Sequence, residues 1–127
     1  MSSTPMKRSE RLAQTLRQIV SNSTDVRGVA IISLDGLVIS ANLPSDMDQT
    51  RVGAVAASIL NLSGRSVMQL ARGEFQQTLI QGTEGNVILT YAGKNATFVA
   101  LTDKGVNLGM AFLEAREGAQ RVAEVLG

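Results

Sequence analysis

Residues 28–41 read GVAIISLDGLVISA, an almost wholly apolar stretch interrupted by one Asp-Gly pair. Asp-Gly between two hydrophobic runs is a strong signal for a β-hairpin with a two-residue turn. With Asp35 and Gly36 as that turn, the expected cross-strand pairs are Leu34 with Leu37, Ile32 with Ile39, and Ala30 with Ala41. One face of the hairpin then has no polar side chain, and the other carries Val29, Ile31, Ser33, Val38 and Ser40. Neither face suits free solvent, so helices are expected on both sides of the sheet.

Apolar residues at helical spacing predict three helices in the rest of the chain. The first spans residues 5–21, with Thr4 and Pro5 at its N-cap and first turn and residues 1–4 as a disordered tail. The second runs from a Ser45 cap to about Ala71, with two acids, Asp46 and Asp48, in its first turn. The third begins after an Asn107 cap and carries a single apolar stripe.

Three β-rich segments lie between the second and third helices, at residues 75–81, 86–92 and 96–102. Their connections, GTEG and GKN, are typical of hairpin turns, so the segments should form a meander. The element order is therefore α-β-β-α-β-β-β-α in a single domain over residues 1–127. We predict an α+β fold of the α/β sandwich type: a five-stranded antiparallel sheet with one long helix on one face and two helices on the other.

Composition excludes several kinds of chemistry. The chain has no cysteine and no histidine, which removes disulfides, thiolate nucleophiles, His-based triads and the usual zinc sites. No phosphate loop, GxSxG elbow or dinucleotide fingerprint is present, so we expect no enzyme activity, no cofactor and no metal. A net charge of +1 and few aromatic side chains argue against nucleic acid as a partner. Without an apolar run of membrane-spanning length or a leader, a cytoplasmic location is expected.

Four stretches in this order, DVRGVAIISLDGLVISANLP, DMDQTRVGAVAASILNLSGRSV, GEFQQTLIQGTEGNVILTYAG and NLGMAFLEAREGAQRVAEVL, resemble the roadblock/dynein light chain domain family. The chain looks like stand-alone prokaryotic members, among them a gliding-motility regulator of a Ras-like GTPase. The resemblance implies a profilin-like or longin-like fold, a homodimer, and binding of a small Ras-like GTPase. It carries no nucleotide site and no catalytic residue over to this chain.

The first β-rich segment of the meander has no proline or lysine to protect an exposed edge, and such an edge invites pairing. The resemblance places this strand at the seam of a homodimer, where two five-stranded sheets join. Close packing of the long helix against its copy is a second possible contact. The residues predicted for the dimer interface are Phe75, Gln77, Leu79, Gly53 and Leu60.

The long helix should bury the arc formed by Val52, Val55, Ala56, Ile59, Leu60, Leu62, Val67 and Leu70. Opposite that arc lies an unusual strip of mainly small residues, which we expect to face solvent and to bind a partner. The predicted partner-binding residues are Ala54, Ala57, Asn61, Gly64, Arg65 and Met68.

Three functions remain open at this point. The first is a homodimeric, non-enzymatic regulator or scaffold of a small Ras-like GTPase. The second is an assembly or adaptor module whose partner is not a GTPase. The third is a small-molecule sensor, which would need a cavity with converging polar groups.

Overall fold

The computed structural model describes residues 6–127. The predicted tail at residues 1–4 and the predicted Thr4 and Pro5 helix start lie outside the described residues. The elements are α1 (Arg8–Asn22), β1 (Val26–Ser33), β2 (Val38–Asn42), α2 (Gln49–Gln69), β3 (Gln77–Gln81), β4 (Gly85–Tyr91), β5 (Ala96–Asp103) and α3 (Leu108–Leu126). The predicted element order is confirmed.

All five strands form one antiparallel sheet in the order β2-β1-β5-β4-β3. Alternate side chains of the central strands enter two separate cores, as expected for a sheet covered on both faces. One core lies under α1 and α3 and contains Leu16, Ile31 and Phe98. The other lies under α2 and contains Ile32, Leu89 and Val99. The predicted sandwich, with one helix on one face and two on the other, is therefore confirmed.

The hairpin between β1 and β2 differs from the predicted two-residue turn. Ala30 does pair with Ala41, but Ile32 pairs with Val38 because a β-bulge shifts the register between these two pairs. The turn is correspondingly longer, and Ser33 N–H donates to the Leu37 carbonyl at 2.8 Å. Leu34 and Leu37, expected on a covered face, are therefore exposed turn residues.

The bulge also exchanges the faces of two neighbouring side chains, because an extra residue in one strand re-aims the side chains next to it. Val38, predicted on the more polar face, packs into the core under α2. Ile39, predicted opposite Ile32, instead lies beside Arg8 and Ala92 on the α1 and α3 side. The predicted faces of Val38 and Ile39 were wrong for this reason.

Helix α3 begins as predicted, whereas α1 begins at Arg8 after Lys7 rather than at residue 5, and the cap of α2 also differs. The Asn107 cap of α3 is confirmed, since its side chain accepts a hydrogen bond from the Met110 N–H at 3.0 Å. The cap of α2 is Asp48 rather than Ser45, with the Asp48 carboxylate accepting from the Thr50 N–H at 2.9 Å. Residues 45–47 thus belong to the preceding turn.

Candidate partner-binding surface

The face of α2 that packs on the sheet is narrower than predicted and consists of smaller residues. Its buried residues are Gly53, Ala56 and Leu60, with Val52, Ile59 and Val67 partly buried beside them. Val55, Leu62 and Leu70, predicted as buried, are 51%, 64% and 68% exposed. The prediction for these three residues was wrong, and α2 consequently presents large apolar side chains to solvent.

A close contact between α2 and the hairpin turn explains this orientation. A Cβ atom on Gly53 would lie 2.5 Å from the Gly36 carbonyl oxygen, and one on Gly36 would lie 2.8 Å from the Cβ of Ala57. Gly36 also has a φ of +93°, which glycine adopts without strain. The helix therefore approaches the turn through its smallest side chains, and this approach fixes which face of α2 is buried.

The predicted partner-binding strip is only partly a free solvent-facing surface. Ala54, Asn61, Arg65 and Met68 are exposed, and Met68 has 73% of its area accessible. Gly64 is half-buried, although no other part of residues 6–127 comes within 4 Å of a Cβ built on it. Ala57 is half-buried against the hairpin turn, so the expectation that it faces solvent was wrong.

Two adjoining grooves run along this flank of α2 and include five of the six strip residues. The first, about 470 Å³, places Ala57 and Asn61 opposite Leu34 and Asp35 of the hairpin turn. The second, about 410 Å³, is lined in part by Asn61, Gly64, Arg65 and Met68. Ala54 lines neither groove. The strip is thus one wall of a furrow rather than a flat surface.

Tyr91 lines both grooves, and sequence reasoning did not select it. Its ring meets the ring of Phe75 edge to face, with centroids 5.2 Å apart and an interplanar angle of 87°. Tyr91 is 40% exposed, whereas Phe75 is 6% exposed. A sole tyrosine at the end of an apolar strand was the available sequence signal, because tyrosine combines an apolar ring with a polar tip.

The residues predicted for a dimer interface occupy two different environments. Phe75, Gly53 and Leu60 are buried inside the protomer, so their side chains have almost no area left to contact a second copy. Phe75 also precedes β3 rather than lying within it. Gln77 and Leu79 do lie on β3, which is an outer strand of the sheet, with Gln77 exposed and Leu79 half-buried.

A second apolar surface lies on the other flank of α2. A groove of about 230 Å³ runs between Val55 and Ile59 of α2 and Val87 and Leu101 of the sheet. Ile80 on β3 pairs with Val87 and is 43% exposed. We call these residues the Val55–Ile80 patch. Clustered exposed apolar side chains of this kind mark interaction sites.

Within residues 6–127 no group of three or more His, Cys, Asp or Glu side chains could hold a metal ion. None of the described helices is both long and apolar enough to cross a membrane. The candidate site is therefore built from the furrow, the Val55–Ile80 patch and the β3 edge, all of which are surfaces suited to contact with another macromolecule.

The sequence and the fold both have recognisable relatives. An uncharacterised protein of Methanocaldococcus jannaschii is 32% identical over 102 residues, which cover 80% of this chain and 89% of that protein. The gliding protein MglB of Thermus thermophilus superimposes with a TM-score of 0.84 at 18% identity, covering 96% of this chain and 93% of that one. An MglB structure with a tetrameric arrangement has a TM-score of 0.85 at 20% identity, covering 96% and 92%.

The profilin-like fold that the resemblance implied is confirmed by Schizosaccharomyces pombe profilin, which superimposes with a TM-score of 0.65 at 13% identity over 90% of this chain and 98% of that one. The model of the Roadblock/LC7 domain matches residues 11–102, which run from α1 to the end of β5. The chain therefore belongs to the Roadblock/LC7 domain family.

Proposed function

We propose that this protein is a homodimeric, non-enzymatic regulator or scaffold that binds a small Ras-like GTPase. The observation that carries the proposal is the combination of a roadblock domain with a long helix that has an apolar groove on one flank and a furrow of mixed apolar and polar residues on the other. Exposed apolar patches mark interaction sites. The proposal assigns one flank to a second copy of the chain and the other to the GTPase.

The second copy binds at β3. This edge runs from Gln77 to Gln81 in unbroken register with β4 and has no bulge, proline or lysine. Antiparallel pairing of two β3 strands about Leu79 would set Thr78 of one copy opposite Ile80 of the other. Both residues lie on the α2 face, since their β4 partners, Leu89 and Val87, belong to the core under α2. Pairing there would bring the two Val55–Ile80 patches together and cover them.

Sedimentation velocity at micromolar concentration tests the dimer. Ile80→Lys would place a charged group in the covered patch, and we expect it to weaken the dimer by roughly tenfold or more. Leu113→Lys is the matched control, because Leu113 is 40% exposed and lies on α3, on the opposite face of the sheet. A strictly monomeric wild-type protein would refute the dimer, and equal effects of the two variants would place the interface elsewhere.

The GTPase binds on the furrow. Its walls combine apolar side chains such as Leu34 and Met68 with hydrogen-bonding groups on Asn61 and Tyr91. Interfaces that form and dissociate typically mix the two in this way. The furrow also carries charges of both signs, with Arg65 in one groove beside Glu74 and Asp35 in the other. Separate flanks for the copy and the GTPase allow both contacts at once.

Pull-down with purified Ras-like GTPases, each loaded with GTP or with GDP, tests this assignment. Met68→Glu and Asn61→Arg alter exposed furrow residues, and we expect each to weaken binding at least tenfold without lowering the melting temperature. Gln120→Arg on the exposed side of α3 is the control and should bind as wild type does. Binding of neither nucleotide form would favour the adaptor function with a partner that is not a GTPase.

A further inference from the structure

The β2 bulge places an isoleucine in a cavity on the side of the sheet away from the furrow. Ile39 is the extra residue of the bulge, and 44% of its area remains accessible. The cavity that it lines has a volume of about 550 Å³, which lies within the usual range for small-molecule sites. Bulges occur preferentially next to functional sites, where they re-aim a side chain. The bulge in β2 thus places the apolar Ile39 side chain at the cavity.

Several other residues that line the cavity are apolar and mostly small. Ala92 and Ala96 from the β4–β5 hairpin and Ala123 from α3 form its floor with Ile39, and Leu126 closes one side. Gly93 turns with a φ of +82°, and a Cβ there would be 3.8 Å from the Cβ of Ala123. Short side chains on three elements leave the volume open and give a hydrocarbon chain apolar surface to contact.

The rim is cationic. Arg8 at the start of α1 and Lys94 in the β4–β5 turn both line the cavity, and neither forms an ion pair among the described residues. Arg8 uses one guanidinium N–H to donate to the Leu126 carbonyl at 3.2 Å, which anchors it and leaves its other donors free. No acidic side chain from residues 6–127 lines the cavity.

We propose that this cavity binds an amphipathic carboxylate, a short to medium hydrocarbon chain that ends in one carboxyl group. The hydrocarbon would lie on Ile39 and the alanine floor, and the carboxylate would accept hydrogen bonds from Arg8 and Lys94, with the Asn95 side chain within the same rim. A purely apolar ligand would leave the cations unused, and a small anion would leave the floor uncovered. The proposal is independent of GTPase binding, because the furrow lies beside α2, on the opposite face of the sheet.

Titration of the ¹⁵N-labelled full chain with octanoate tests the proposal. We expect saturable shifts at the amides of Gly93, Asn95 and Ala123, at octanoate concentrations well below its micelle-forming range. Octanol at equal concentration, which lacks the charge, and acetate, which lacks the chain, should each bind at least tenfold more weakly. Shifts confined to the groove beside Val55, or equal binding of octanol, would overturn the assignment.

Lys94→Gln should reduce octanoate affinity about two- to fivefold, because solvent weakens an ion pair at an exposed lysine. Lys104→Gln is the matched control, since Lys104 is an exposed lysine outside the cavity, 3.6 Å from Glu84. Ala123→Leu would fill the floor and should abolish binding, with the melting temperature measured to confirm that the variant folds. Equal affinity of wild type and Lys94→Gln would refute the proposed carboxylate contact.

Discussion

Replacing Gly53 with alanine should destabilise the fold, although alanine is the better helix former. Gly53 lies inside α2, where alanine would ordinarily add about 1 kcal/mol to the free energy of unfolding. Here the added Cβ would lie 2.5 Å from the Gly36 carbonyl oxygen and 3.1 Å from Cγ2 of Val38. The first distance is far inside van der Waals contact, and its partner is backbone that cannot rotate away.

Overpacking of this kind typically costs about 1–3 kcal/mol, and roughly 1 kcal/mol is recovered from helix propensity. The expected net change is therefore a loss of up to about 2 kcal/mol. For a domain of this size that lowers the melting temperature by up to about 8 °C. Urea and thermal unfolding should be measured at one fixed protein concentration, because any dimerisation adds to the apparent stability.

Gly64→Ala is the control for the same substitution in the same helix. Nothing lies within 4 Å of a Cβ built on Gly64, so this variant should gain about 0.5–1 kcal/mol. Opposite signs for the two variants would establish the close approach of α2 to the hairpin turn. If Gly53→Ala stabilised the protein as much as Gly64→Ala, the turn would not be held against the helix, and the furrow beside it would lack a fixed wall.

Three further outcomes can be checked with simple measurements. Thr97→Val should stabilise the protein by about 1 kcal/mol in urea unfolding, because the Thr97 hydroxyl is fully buried with no hydrogen-bond partner among the described residues. Thr102→Val should destabilise the protein, since the Thr102 hydroxyl accepts a hydrogen bond from Asn86 Nδ2 at 2.9 Å. Asp48→Ala should cost about 1 kcal/mol in the same assay through loss of the α2 cap, whereas Asp48→Asn should cost much less. Isothermal titration of the protein alone with GTP should show no micromolar binding, because the chain has no phosphate loop.

The sequence allowed the layers of the fold to be predicted because both signals involved are local. Period-2 alternation and helical spacing repeat within each element, and the Asn107 cap needs only the next three residues. The hairpin register was a different problem. The register shifts at Ile39, and the turn at Gly36 closely approaches α2 at Gly53, a residue outside the hairpin. No local pattern records that contact.

The candidate site could likewise be predicted only in part from the sequence. Small residues on α2 were recognisable as unusual, but they proved to lie in two environments that a helical wheel cannot separate. Gly53 and Ala57 meet the hairpin turn within the chain, whereas nothing lies within 4 Å of a Cβ built on Gly64. The helical wheel treated all positions of the helix alike. It therefore assigned Val55 and Leu62 to the predicted buried arc, although the fold leaves both exposed.

The two edges of the sheet differ in a way that bears on assembly. At the β2 edge the strand has five residues, contains the bulge and runs directly into Leu43 and Pro44. Shortness, a bulge and an adjacent proline are devices that prevent an edge from pairing with another chain. The β3 edge has an unbroken register and none of these devices along Gln77–Gln81 except its length. A sheet able to pair at both edges would add copies without limit, whereas pairing of one edge with itself closes at two copies. The bulge thus has two consequences: it presents Ile39 to the cavity, and it leaves β3 as the edge strand with an unbroken register.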